Sequence, residues 1–285
     1  MQIKAEAFAA NLEMGVYSFD SFEDWRHWRS MNPWFSFQSA PREIVDHCLT
    51  SGIASTWFGP IPHGKVSCAN PNFRESLRGN GFNPRQRAIL ETLLVLTRGR
   101  EQDVRIYAAE GITPFARELK ARYPKFVGSE YAPSVEDQAR IAPVEHQDLA
   151  ALTYLDESFD ICITNEVMEH LPDLDASLSE LHRVLRPSGV LISTFPFLHD
   201  RPNSITKARM LATGDIEHLM EPEYHGNPVD PKGGSLVFQV PAWDILEKCK
   251  ACGFIQSRKL LVSSKKAGIT ARDYPGVFIL IARKL

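Results

Sequence analysis

From Asp103 onward the chain alternates short apolar runs with amphipathic stretches, and this alternation constrains the fold more than any other feature. VRIYAA (104–109), KFVGSEY (125–131), FDICIT (159–164), GVLISTFPF (189–197) and GVFILIARK (276–284) read as strands, with IAPVEHQ (141–147) as a weaker one. PFARELKARY (114–123), LDASLSELHRVL (174–185) and AWDILEKCKACG (242–253) read as helices. Strands separated by helices of this length predict an α/β fold, a doubly wound, mostly parallel sheet with helices on both faces. Thr113 stands where an N-cap belongs and Pro114 at the first helical position, where its missing N–H costs nothing. Leu174, Leu178, Leu181 and Leu185 recur at about one turn and predict a leucine face on the sheet, with RPSG (186–189) ending that helix.

Residues 1–100 read differently and predict a mainly helical N-terminal appendage or cap, leaving 101–285 as the main domain. Phe19, Phe22, Trp25 and Trp28 recur every three residues, a stripe expected on one side of a helix, there to pack the appendage onto the domain or to stack on a sugar or an adenine. Lys and Arg total 32 against 35 for Asp and Glu, a formal charge of −3. That balance disfavours a nucleic-acid partner. No apolar run is long enough to span a membrane, and the opening MQIKAEAFAANLEMG lacks a signal-peptide hydrophobic region, so a cytoplasmic protein is expected. The cysteines, at 48, 68, 162, 249 and 252, are scattered, and Cys249-x-x-Cys252 falls on the apolar face of a helix, which predicts reduced, packing thiols.

In a doubly wound sheet, ligands sit beyond the carboxyl ends of the strands. After the first strand comes Glu110-Gly111-Ile112-Thr113-Pro114, a loop that opens a helix and offers its N–H groups to an anionic ligand group. After the second comes Glu130, a carboxylate placed to accept from both hydroxyls of a ribose. After the third come Asp148 and Leu149, suited to an adenine amino group and an adenine face, and after the fourth comes Asn165.

The run HQDLAALTYLDESFDICITNEVMEHLPDLDASLSELHRVLRPSGVLISTFP resembles the class I S-adenosylmethionine-dependent methyltransferases, in particular the broad subgroup of ubiquinone-biosynthetic and sugar-modifying enzymes, over roughly Val104 to Phe195. The resemblance implies a Rossmann-like fold and S-adenosylmethionine as cofactor. Under it Glu130 holds the ribose, Tyr131 lies near the adenine, Asp148 and Leu149 bind the adenine, and the loop of Glu110, Gly111 and Thr113 holds the methionine moiety, with Asn165 at the next strand end. One departure stands out: the family loop carries three glycines after an acidic residue, whereas here Gly111 is the single glycine and Glu110 the nearest carboxylate.

Methyl transfer from a sulfonium asks the protein to align a nucleophile and, for a hydroxyl, to remove its proton. Asn165-Glu166-Val167-Met168-Glu169-His170 is the first place to look, because Glu166, Glu169 and His170 would share a face if a helix opens there. In the resembling ubiquinone-pathway and small-RNA 2′-O-methyltransferases an E-x-x-E-H of this form binds a divalent metal. The resemblance therefore implies Glu166, Glu169 and His170 as ligands if a metal is used, against a metal-free reading with Glu169 turned outward. Residues 198–241 form an insertion long enough to act as a lid, and it carries His199 and His225, the preferred general bases, with His170 and Glu166 as further catalytic candidates. The polar residues of the insertion suggest a hydroxylated or anionic small-molecule or glycan acceptor. The expected activity is O-methylation of a sugar or glycan intermediate, with a natural-product acceptor, or a non-catalytic partner subunit, as alternatives.

Overall fold

The computed structural model describes residues 14–36 and 39–285; most of the stretch read for a leader, residues 1–13, lies outside them. In chain order the main elements are β1 (Met14–Phe19), α1 (Phe22–Met31), α2 (Ser39–Ser51), α3 (Pro84–Thr97), β2 (Ile106–Ala108), α4 (Pro114–Arg122), β3 (Phe126–Glu130), α5 (Val135–Ile141), β4 (Glu145–His146), β5 (Phe159–Asn165), α6 (Leu174–Val184), β6 (Leu185–Thr194), α7 (Ile245–Ala251), β7 (Gln256–Ser264) and β8 (Val277–Arg283). They divide into two compact units, Met1–Gly99 with Arg258–Ile279, and Arg100–Ser257 with Leu280–Leu285. No helix among the described residues is long and apolar enough to cross a membrane.

In the second unit the strand order is β6-β5-β2-β3-β4, all parallel, and β6 also pairs antiparallel with residues 280–283 of β8. The chain runs outward from β2 through β3 to β4, then returns to the other side of β2 with β5 and β6. That reversal opens the crevice between the carboxyl ends of β2 and β5. Ala108 stands level with Ile163 in this register, so the residues after β2 face those after β5. The doubly wound sheet expected from the alternation is present.

Local chemistry sets the helices. Thr113 accepts from the Ala116 N–H at 3.1 Å with Pro114 next to it, and Asp173 caps α6 the same way on Ala176 at 2.9 Å. Leu174, Leu178 and Leu181 are buried along α6, whereas Leu185 already begins β6. Three expectations need correction. Ile141 closes α5 instead of starting a strand, so the third strand shrinks to Glu145–His146. The strand β7 went unread, since its QSRKLLVSS mixes charge into the apolar run. The aromatic stripe is not one helix face: Phe19 ends β1, Ser21 caps α1 on Asp24, and Trp25 packs edge-on against Phe19, Phe35 and Phe278.

In the first unit β1 runs antiparallel to β7, from Met14 opposite Ser264 to Phe19 opposite Lys259. A core of Ile44, Val45, Cys48, Ile53, Ile61, Phe73 and Leu77 fills the space under α2. Besides the helices it contains short two-stranded ribbons, Ile53–Ser55 with Gly59–Ile61 and Val66–Cys68 with Leu77–Gly79. Arg87 is buried at the start of α3 and donates to the carbonyls of Leu77, Phe82, Ala267 and Gly268. Its charge is offset by carbonyl dipoles, and burial lowers its pKa to about 10. Arg85 is held by Glu75 through Nε and Nη2, each at 3.1 Å. All five cysteines are free thiols, with Cys249 buried in α7.

Candidate active site

Three groups of side chains collect at the carboxyl ends of the parallel strands. The first joins the loop after β2 to the end of β5. Ala109 N–H donates to the Ile163 carbonyl at 3.0 Å, which carries the pairing past the last residue of β2. Glu110 then takes two bonds, from Asn165 Nδ2 at 2.5 Å and from Thr113 Oγ1 at 2.5 Å. Thr113 therefore caps α4 through its oxygen and holds Glu110 through its proton. Asn165 in turn accepts from Thr194 Oγ1 at the end of β6, at 3.3 Å.

The second group surrounds Glu130. Its Oε1 accepts from the N–H groups of Gly111 at 2.8 Å and Ile112 at 3.1 Å. No bond to Oε2 is found among the described residues. Burial raises the Glu130 carboxyl above its ordinary value, partly offset by those two amides. Gly111 survives in this glycine-poor loop for a steric reason: a Cβ there would stand 2.4 Å from Val144 Cγ1 and 3.1 Å from the backbone of Gly128. A Cβ on Gly128, in β3, would in turn stand 2.7 Å from the Glu110 carbonyl oxygen. The loop and β3 thus cross glycine on glycine. Tyr131 is exposed beside the ring of His146, centroids 5.6 Å apart, and Asp148 bears on its hydroxyl electrostatically. Asp148 accepts from Ala150 N–H at 2.8 Å, and Leu149 is buried.

The third group follows β5. Glu166 adopts φ +52°, a left-handed conformation, and Met168–His170 form a short 3-10 turn. The segment is thus a turn and not the start of an α-helix, so Glu166, Glu169 and His170 do not line up as helical i, i+3 and i+4 neighbours. Glu169 is fully buried, contrary to the outward orientation weighed above. The insertion folds back onto it. Phe238 N–H donates to the Glu169 carbonyl at 2.8 Å, and His170 Nδ1 meets the Leu236 carbonyl at 2.8 Å. His225, from a ribbon of Tyr224–His225 with Ser235–Leu236, brings Nδ1 to 3.6 Å from Glu169 Oε1. His170 Nε2 lies 3.7 Å from the same oxygen. Glu223 accepts from His225 Nε2 at 3.2 Å and is itself paired with Lys207 Nζ. Burial pushes the Glu169 carboxyl up, whereas the carboxylates of Glu169 and Glu223 raise the His225 imidazole.

The structure therefore brings together Glu110, Thr113 and Asn165; Gly111 and Glu130; Tyr131 and Asp148; and Glu169, His170 and His225. His199 stands apart from the last set, at the start of the insertion, where its carbonyl accepts from Trp243 Nε1 at 3.0 Å. Glu223 and Lys207, which carry no motif in the sequence, stand behind His225 in the fold. The insertion also reaches the other half of the crevice. Val229 packs with Ala132 and Ile141, next to Ile112 and Val144.

Residues 109–193 match the family model of a methyltransferase domain. The chain is 31% identical over 150 residues to malonyl-[acyl-carrier protein] O-methyltransferase of Serratia marcescens, covering 51% of this chain and 55% of that protein. It is 35% identical over 88 residues to a "Probable S-adenosylmethionine-dependent methyltransferase" of Mycolicibacterium smegmatis, covering 31% and 26% of the two chains. The chain thus spans about half the length of the first relative and about a quarter of the second. Among solved structures it is similar to an S-adenosylmethionine-dependent methyltransferase from Mesorhizobium loti, with 18% identity, a TM-score of 0.44, and 68% and 97% of the two chains covered.

Proposed function

We propose that this chain, whose residues 109–193 match a methyltransferase domain, is a class I enzyme that transfers a methyl group from S-adenosylmethionine to a hydroxyl of a polar small molecule, a sugar or glycan intermediate. The observation that carries the reading is the set of polar groups at successive strand ends, Glu110, Glu130, Asp148 and Asn165, around one crevice. Glu130 serves the ribose through Oε2, its Oε1 being spent on Gly111 and Ile112. Asp148, Leu149 and Tyr131 serve the adenine, and Glu110 with Asn165 the methionyl ammonium. The cofactor supplies the electrophile. The acceptor oxygen attacks the methyl carbon, the sulfur–carbon bond breaks, S-adenosylhomocysteine leaves, and the hydroxyl proton passes to the enzyme.

The cluster of Glu169, His170 and His225 is the part of the site suited to that proton, with His199 as a second candidate beyond β6. The exposed carboxylates and cations of the insertion favour a hydroxylated acceptor over an apolar one. A turnover screen against nucleotide sugars and glycan oligomers tests the acceptor class. Transfer confined to apolar natural products, or to RNA, would replace the sugar reading.

A further inference from the structure

Tyr131 is 59% exposed, yet its backbone is held on both sides. The peptide before it presents the Glu130 carbonyl to the Gln147 N–H at 3.0 Å, and the peptide after it donates the Ala132 N–H to His146 Nδ1 at 3.0 Å. Both partners come from consecutive residues, at the end of β4 and just beyond it. With the two flanking peptide planes fixed, φ and ψ of Tyr131 are fixed as well. Its ring lies beside that of His146, centroids 5.6 Å apart and planes at 57°.

The two fastenings differ in kind. The Gln147 bond continues the parallel pairing in which Glu130 stands level with His146, and any residue at 147 except proline can make it. The His146 bond needs the side chain, because an accepting Nδ1 is what meets the Ala132 N–H. Ala132 is fully buried against Val229 and Ile141, so its amide has no access to solvent as an alternative. Its carbonyl is taken by Gln138 Nε2 at 3.1 Å, from α5. Without the imidazole a buried donor is left unpaired, and that penalty loosens the segment. An exposed aromatic ring on an immobilised backbone is a preformed platform, which receives a flat ring without first losing its own conformational freedom.

We infer that His146 is the positioning residue of the adenine half of the site: through the Ala132 N–H it holds Tyr131 in the conformation that meets the adenine ring. The inference rests on the cofactor site proposed above. His146 acts through Tyr131, so the loss of either residue is the same loss.

The test is a double-mutant cycle on the full chain, read by calorimetry with S-adenosylhomocysteine. Tyr131→Ala is expected to weaken binding about 10-fold, and His146→Phe, which keeps a ring and loses the acceptor, by about 5- to 10-fold. The double variant should be weaker than Tyr131→Ala by no more than about 2-fold, where independent residues would multiply to roughly 50- to 100-fold. His146→Asn, whose Oδ1 stands as far from the backbone as Nδ1 does, should keep affinity within about 3-fold of wild type. In the cofactor-free chain, hydrogen exchange at the Ala132 amide should be slow in wild type and His146→Asn, and faster by at least about 10-fold in His146→Phe, with the α6 amides unchanged as the sign of an intact fold. The inference is overturned if His146→Phe binds like wild type, if the two losses multiply, or if His146→Asn is as weak as His146→Phe. No binding by the wild type, or binding that Tyr131→Ala leaves unchanged, overturns the cofactor site itself and the inference with it.

Discussion

Glu110 and Asn165, 55 positions apart in the chain, meet at 2.5 Å across the carboxyl ends of β2 and β5. The bond spans the crevice at which the strand order reverses. A family-type loop would carry more glycine here; this chain substitutes a carboxylate fixed by an amide and a threonine. If that pair carries the methionyl end, Asn165→Ala should weaken S-adenosylmethionine binding about 10-fold by calorimetry, corresponding to a charged hydrogen bond of about 1.5 kcal/mol. Affinity unchanged in Asn165→Ala would remove the pair from the cofactor site.

The glycine crossing makes a prediction about stability. Gly111→Ala places a Cβ 2.4 Å from Val144 Cγ1 and against the Gly128 backbone. The cost expected from such overpacking is about 1–3 kcal/mol, readable as a lower melting temperature. Gly64→Ala, with open space around its Cβ, should be close to neutral and serves as the control.

How much of this was legible before folding follows from the range of each signal. Thr113-Pro114 and the leucines of α6 are local patterns, and the strand ends that carry Glu110, Glu130 and Asn165 follow from the alternation of strand and helix. The meeting of His225 with Glu169 depends on ribbons whose strands are only two or three residues long, too short to show a period. Gly128 carries no local signal, because its role exists only once Gly111 lies against it. Glu166 misled for a related reason: three polar residues at helical spacing say nothing about a left-handed φ at the first of them.

Arg183 gives a pH-dependent prediction away from the site. It binds Glu180 through Nε and Nη2, both at 2.7 Å, and also reaches the carbonyls of Leu152 and Tyr154, while Glu180 accepts from the Leu152 N–H at 2.8 Å. The arginine holds the Glu180 carboxyl below its ordinary value of 4.5. A depressed folded-state pKa stabilises above the unfolded value and ceases to do so as the pH falls through the folded one. Wild type should therefore exceed Glu180→Gln in stability by roughly 1 kcal/mol at pH 7, solvent screening included, and the gap should close below about pH 4.5. A gap unchanged at pH 3 would contradict the pairing.

For catalysis, His225→Ala should lower kcat by about 100-fold or more while leaving S-adenosylmethionine affinity within about 3-fold. Loss of both together would mean that His225 supports the cofactor half of the crevice instead. Steady-state kinetics on an acceptor found by the turnover screen, paired with calorimetry, separates the two.

The central claim is that the crevice between β2 and β5 binds S-adenosylmethionine through Glu130, and titration calorimetry tests it most directly. Wild type is expected to bind the cofactor and S-adenosylhomocysteine one to one, with Glu130→Ala and the similarly shaped Glu130→Gln each weaker by at least about 10-fold. Because Glu130 is raised above its ordinary value, wild-type affinity should also fall as the pH drops into the range just above that value, and Glu130→Gln should flatten the dependence. No binding by the wild type, or binding that both variants retain in full, would contradict the account.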